Sequence, residues 1–400
     1  MILDQDNNVE LSTQTPAPAT IPVNEKPQRG SKRGPLLIAI MVVVAAIVIG
    51  VSVFFVMQNA ARPAAKIKVG VMMAFSGGSS NMGYGAMKGV LLAKEQLAAD
   101  NIEIIQMDSK CDPKVAAEAV KELINQGVVA IIGEGCSSAT VAALPAANNA
   151  KVVIISPSAS SPTLSIPDDY FFRVIPSDNY QGRFMAQAIY DRGIRDVAVF
   201  YTNEPYGSGM NTVFREQFEA LGGKVVATAS AESDIINLDQ QIDELKKANP
   251  EALFIAPNSV VTATAVMKIA REKGMTVPFF GADILYDNTI ITNDPESAEG
   301  TIVSTFPTGN KEFKQALFNE YQKNEQLYAA AQAYDVIHVL QLATQQGAIT
   351  GEGIKDILPS ISFDGVSAYI QFDDNGDEVF NDNYKYDLFQ VKDGAFELVE

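Results

Sequence analysis

One histidine, His338, serves a chain of 400 residues, and it falls inside a helix-like stretch (328–346) rather than at the end of a strand. No Ser-His-Asp set, Cys-His pair or metal-ligand cluster can be assembled, so catalysis has no residues to carry it. Nucleotide signatures are also missing. Gly83-Tyr84-Gly85 with Gly89 mimics a dinucleotide fingerprint, but the spacing is one residue too long and it begins well past a strand, and no Walker A lysine exists. Asp373-Asp374-Asn375-Gly376-Asp377-Glu378 is not a calcium loop, because Gln371 stands where its first acidic ligand belongs. Neither an enzyme nor a cofactor is expected. Basic residues are in deficit, with 30 Lys and Arg against 48 Asp and Glu and a net charge of −18. The first 34 residues balance, Asp4, Asp6, Glu10 and Glu25 offsetting Lys26, Arg29, Lys32 and Arg33, so the acidic surplus lies in the remainder. Such a surface argues against nucleic acid as a partner. Cysteine is scarce too. Cys111 and Cys136 read as a disulfide in an oxidising compartment or as two reduced core thiols.

What the chain does have is one long apolar run. Leu36 to Met57 carries no charged residue, and at 1.5 Å per residue it spans roughly 30 Å, the thickness of a bilayer core. A cleaved signal peptide is the alternative, but signal h-regions usually run only about 7–15 residues. Arg29, Lys32 and Arg33 flank the N-terminal side, which places the tail in the cytoplasm and everything after Gln58 outside. The reading is therefore a disordered tail (1–34), a transmembrane helix (35–58) and a linker (59–65) containing Pro63. The protein is expected to cross the cell membrane once, with its main domain extracellular or periplasmic.

From Lys66 the chain alternates short β-branched runs with amphipathic stretches. Strands are predicted at 67–75, 102–108, 128–133 and 152–156, with helices at 85–98, 113–126 and 138–149 between them. The pattern restarts after 168–178, with strands at 196–201, 224–229, 251–256 and 277–282 and helices at 207–221, 238–248 and 260–273. A strand at 301–306, helices at 310–323 and 328–346, and a hairpin of 368–372 with 384–391 across the Asp-Asn-Gly turn complete it. Repeated βαβ units imply α/β architecture: two Rossmann-like lobes with parallel-sheet cores, joined by several crossovers. The assigned lobes are 66–177 with 307–364, and 178–306 with 365–400.

In open parallel sheets, ligands lie beyond the carboxyl ends of the strands. There the sequence places Ser76-Gly77-Gly78-Ser79-Ser80, Cys136-Ser137-Ser138-Ala139-Thr140 and Ser156-Pro157-Ser158-Ala159-Ser160-Ser161. Small hydroxyl residues beside helix starts suit a carboxylate without a formal counter-charge, although each alone could be an ordinary N-cap. Asp283 follows a strand of the second series and could hold an ammonium group, or be a solvated loop acid. Tyr206, Asn258 and Tyr286 also sit just beyond strands.

Together these residues resemble the type I periplasmic binding proteins, in the leucine/isoleucine/valine-binding branch that serves ABC transporters. The likeness runs from Lys66 to Glu400. Its most specific stretches are Asp108-Ser-Lys-Cys-Asp-Pro-Lys and Gly133-Glu-Gly-Cys-Ser-Ser-Ala-Thr, followed by Ile155-Ser-Pro-Ser-Ala-Ser, Phe172-Arg-Val-Ile-Pro-Ser-Asp, Tyr206-Gly-Ser-Gly and Phe280-Gly-Ala-Asp. The resemblance implies a disulfide between Cys111 and Cys136. It implies that Ser137 and Ser160, with Ser158, bind the ligand carboxylate or amine, that Asp283 pairs with the ammonium, and that Tyr206 closes over it. It further implies a hinge near Pro176, Pro307 and Asp364, and delivery of an amino acid to an ABC permease driven by its ATPase. The chain departs from the branch at two places that touch the ligand side chain. Met82, with Tyr84 nearby, and Asn258 stand where aromatics are the pattern. A sensory ectodomain for amino acids or small amides is the alternative function.

Overall fold

Ile67–Met73 (β1) is buried at every position except Lys68, as expected for a parallel strand covered on both faces. In the computed structural model it is an inner strand of a sheet with β2 (Ile102–Asp108), β3 (Ala130–Gly133), β4 (Val153–Ser156) and β5 (Phe171–Arg173). The order is β2-β1-β3-β4-β5, and every pairing is parallel. Helices Ser80–Gln96, Pro113–Asn125 and Ser137–Ala150 make the crossovers. The second of these shows why the chain turns where it does. Asp112 accepts hydrogen bonds from the amides of Lys114 (2.8 Å) and Val115 (2.9 Å), and Pro113 fills the first helical position.

The second sheet contains β6 (Asp196–Thr202), β7 (Lys224–Ala231), β8 (Ala252–Ala256), β9 (Phe279–Gly281) and β10 (Ile302–Thr305). A separate hairpin, β11 (Ser362–Asp364) with β12 (Tyr369–Gln371), precedes β13 (Asp387–Lys392) and β14 (Ala395–Leu398). The sheet runs β14-β13-β10-β9-β8-β6-β7, with β13 and β14 antiparallel on the β10 edge.

The described residues are 65–233, 235–321, 327–380 and 386–399. The expected tail, transmembrane helix and most of the linker lie outside them. Among the described residues, no helix is long and apolar enough to cross a membrane.

Two expectations need correction. The hairpin of 368–372 with 384–391 does not form, because β12 turns back on β11 while β13 pairs with β10 and β14. Buried Asp335 holds that turn, accepting from the amides of Val366 and Ser367 at 2.8 Å each. The chain also stays with the first lobe past Asp364. Ile370 and Phe372 join the first lobe's apolar cluster, and Asp377 pairs with Arg173 of β5 at 2.7 Å. Burial decides both points, since Ile370 and Phe372 are 0% and 4% exposed and have no equivalent apolar shelter in a free hairpin.

Candidate functional site

The two sheets share one topological property. Each reverses its strand order, the first between β1 and β3 and the second between β6 and β8. Connections leave such a switch point on opposite faces, so a crevice opens at the strands' carboxyl ends. The residues that follow those four strands meet across the cleft. Met82, Gly135, Cys136 and Ser137 come from the first lobe, and Glu204, Tyr206 and Asn258 from the second. Ser158, Asp283, Ile284 and Tyr328 complete the lining of this pocket between the lobes. The lobes are closed over it. Asn81 Nδ2 donates to Asp287 Oδ2 (3.3 Å) and Thr289 Oγ1 (3.2 Å), and Ser161 Oγ donates to the Pro205 carbonyl (2.8 Å).

The first-lobe wall presents backbone donors. Helix Ser137–Ala150 begins at the cavity, and no side chain caps its amides. An uncapped helix start with its positive dipole end suits a carboxylate. Three supports fix it in place. Cys111 and Cys136 are disulfide-bonded, tying the loop after β2 to the helix start. Ser137 Oγ accepts from the Ser161 amide (3.2 Å). Glu134 Oε2 accepts from the Cys136 amide (2.6 Å), and Ser109 Oγ donates to Glu134 Oε1. Ser156 Oγ donates to the Glu134 carbonyl (2.7 Å) and accepts from the amides of Ser158 (3.2 Å) and Ala159 (2.8 Å), which sets the Ser158 loop.

Glu134 is wholly buried, and burial raises its carboxyl to about 7 against the lowering effect of Ser109 and the Cys136 amide. A folded-state value above the unfolded one means the folded chain holds the extra proton between the two, so stability falls as pH rises through that window. Glu134→Gln keeps the protonated form's pattern, its carbonyl facing the Cys136 amide and its amide facing Ser109. Glu134→Gln is expected to remove up to about 3 kcal/mol of the stability lost between pH 5 and pH 8. Urea midpoints of both proteins at the two pH values measure this, and parallel losses in the two proteins would contradict it.

The second-lobe wall is acidic. Asp283 is 3% exposed and receives the Tyr206 hydroxyl at 2.9 Å and the Tyr328 hydroxyl from the first lobe. Burial raises its carboxyl, and the two hydroxyls oppose that shift. Asp178 lies near enough to raise its own carboxyl further through the Asp283 charge, after burial itself. Its Oδ2 accepts from Ser160 Oγ (2.9 Å), and its buried Oδ1 has no partner among the described residues. Glu204 caps helix Pro205–Ala220 by accepting from the amides of Tyr206 (2.9 Å) and Gly207 (2.7 Å). Among the described residues, no lysine or arginine lines the pocket. One wall thus offers helix amides and the other carboxylates.

Of the residues singled out from sequence, Met82, Ser137, Ser158, Tyr206, Asn258 and Asp283 line this cavity. Ser160 stands behind it, 1% exposed and bonded to Asp178. Tyr84 is a correction. It is 53% exposed, its ring edge-on to Phe75 at 5.9 Å, outside the lining. Two residues on a helix lie about 200° around its axis, so Met82 and Tyr84 cannot both face the ligand. Sequence reasoning missed Tyr328, Glu204 and Asp178. Tyr328 precedes a helix rather than following a strand. Its placement is written in Gly85 and Gly89, where a Cβ would fall 2.3 Å from the Tyr328 carbonyl and 1.9 Å from that of Ala330. The glycines that mimic a nucleotide fingerprint instead let the 80–96 helix press against the segment carrying Tyr328.

Two α/β lobes, chain crossings between them and a pocket at facing switch points are the architecture of a solute-binding protein. The chain belongs to the periplasmic binding protein family, whose sequence profile matches residues 66–395. It is 26% identical over 314 residues to the leucine-, isoleucine-, valine-, threonine- and alanine-binding protein of Pseudomonas aeruginosa, covering 74% of this chain and 83% of the relative. It is 25% identical over 328 residues to the Leu/Ile/Val-binding protein of Escherichia coli, covering 78% and 88%. A leucine-binding protein from Thermotoga maritima superposes with a TM-score of 0.77 at 26% identity, over 84% of this chain and 98% of that one. The branched-chain amino acid transporter substrate-binding protein of Streptococcus pneumoniae, solved with isoleucine, superposes at 0.74 and 26% identity, over 84% and 99%. The resemblance to the leucine/isoleucine/valine-binding branch is thus shown.

Proposed function

We propose that the protein captures an α-amino acid between its lobes and delivers it to an ABC permease driven by an ATPase. One observation carries this reading: Asp283 faces an uncapped helix start at Ser137 across a pocket that no basic residue lines among the described residues. The ligand's carboxylate takes the helix amides, and its ammonium takes Asp283. Ammonium binding requires the Tyr206 and Tyr328 hydroxyls to share that carboxylate or turn aside. Closure about the segments near Pro176 and Pro307, and after Glu378, seals the pair from water, a hinge transition.

The apolar run at 36–57 anchors the binding domain outside the cell membrane, with the tail in the cytoplasm. Tethering keeps the loaded protein close to its permease and raises its effective concentration there. The anchor's test is fractionation. The protein should stay with membranes through alkaline carbonate washing, and release into the wash excludes it.

Thermal unfolding of the full-length chain in detergent, against a panel of L-amino acids, tests the ligand class. A ligand at a hundredfold over its Kd adds about 2.7 kcal/mol, a rise on the order of 5 °C. A well-folded sample unmoved by every amino acid overturns this reading.

A further inference from the structure

Once the carboxylate and ammonium of an amino acid are placed, the remaining wall of the cavity is Met82, Ile284, Glu204 and Asn258. Half of that wall is apolar and half is made of hydrogen-bond acceptors. Asn258 is held rigidly. Its backbone amide donates to Thr202 Oγ1 (2.9 Å), and its side-chain Nδ2 donates to Ser233 Oγ (2.7 Å). With the amide so oriented, Oδ1 is left buried and has no hydrogen-bond partner among the described residues. Glu204 faces the same region. Among the described residues its donors are the amides of Tyr206 and Gly207 and the Thr202 hydroxyl (3.1 Å). A carboxylate has about four acceptor sites, so one remains.

We propose that the bound amino acid carries a hydrogen-bond donor on its side chain, a hydroxyl, amide or ammonium, which Asn258 Oδ1 and Glu204 accept. This rests on the amino-acid reading above and narrows it. An aliphatic side chain leaves the buried acceptor unmet, which is the costlier half of any hydrogen-bond exchange. Discrimination of this kind is strong. A site built around a ligand's polar group rejects the analogue that lacks it far more sharply than a pocket rejects one missing methylene. Met82 and Ile284 pack the carbon stem, so the favoured ligand has a short apolar stem with a polar tip.

Calorimetric titration of the full-length protein with isosteric pairs tests this: threonine against valine, asparagine against leucine, ornithine against norleucine. At least one donor-bearing member is expected to bind ten times more tightly than its aliphatic partner. Asn258→Leu should abolish or reverse that preference, while Asn258→Asp, which keeps an acceptor, should retain it. Equal or tighter binding of the aliphatic member in all three pairs overturns the inference and leaves the amino-acid reading standing. A preference that survives Asn258→Leu unchanged overturns the assignment to Asn258. If no member of any pair binds, the amino-acid reading itself falls.

Discussion

Asp283→Ala is expected to weaken amino-acid binding by roughly 10²–10³-fold, the cost of removing one partner from a buried ion pair. The same carboxylate is a burden when no ligand is present. It is almost fully buried, burial raises its carboxyl, and its charge in turn raises Asp178. The sign follows from linkage. Both acids hold protons in the folded chain that the unfolded chain has released, so their ionisation costs stability as pH rises. Asp283→Asn keeps acceptor and shape without the charge. It should therefore raise the ligand-free thermal midpoint, more at pH 8 than at pH 5, while losing the ligand-induced rise. Loss of both midpoint and ligand response would instead mark Asp283 as structural.

The second large effect lies away from the ligand. Arg173 is 0% exposed, and its guanidinium reaches four groups. Nε donates to Asp377 Oδ1 (2.7 Å), Nη1 to the carbonyls of Ala159 (3.2 Å) and Ser161 (3.0 Å), and Nη2 to Ser165 Oγ (2.8 Å). It joins the edge strand of the first sheet, the loop bearing Ser158 and Ser160, and the last first-lobe segment of the chain. Arg173→Met is expected to cost about 3–5 kcal/mol, because it strands Asp377 as a buried charge and orphans the Ala159 carbonyl, while the Ser161 carbonyl keeps the Leu164 amide. Urea unfolding measures the loss. Adding Asp377→Asn should restore part of it, whereas a double variant as unstable as the sum of the singles would show that the pair does not act as a unit.

Much of this was legible before the structure. β1, β6 and β8 bury nearly continuous apolar runs, and such runs between helical stretches have few other readings. The strand-end rule then found Ser137, Tyr206, Asn258 and Asp283. What stayed hidden has physical causes. β5 is three residues long, too short for periodicity to register. Helix Asp178–Asp191 buries Asp178, Gln181 and Gly182 in its first half, so its apolar stripe is confined to Met185, Ala186 and Ile189. Tyr328 reaches the site by close glycine packing, a relation between residues more than 230 positions apart that a local pattern cannot express. The hairpin failed because a good turn sequence was outweighed by the burial of Ile370 and Phe372 in the first lobe.

The interleaving of the two lobes sets a timetable for the growing chain. Helix Ser80–Gln96 packs on helix Ala330–Gln345, and β5 is tied to Asp377. At typical synthesis rates of about 5–20 residues per second, the first helix waits roughly 10–50 s for its partner. Through that interval the first sheet lies partly uncovered, and the second lobe is made within it up to β10, only β13 and β14 following. The order of appearance is thus the reverse of independence: the lobe that starts first finishes only after nearly all of the other has emerged. Holding factors that shield apolar surface have their longest task on the earliest residues, β1 through β5.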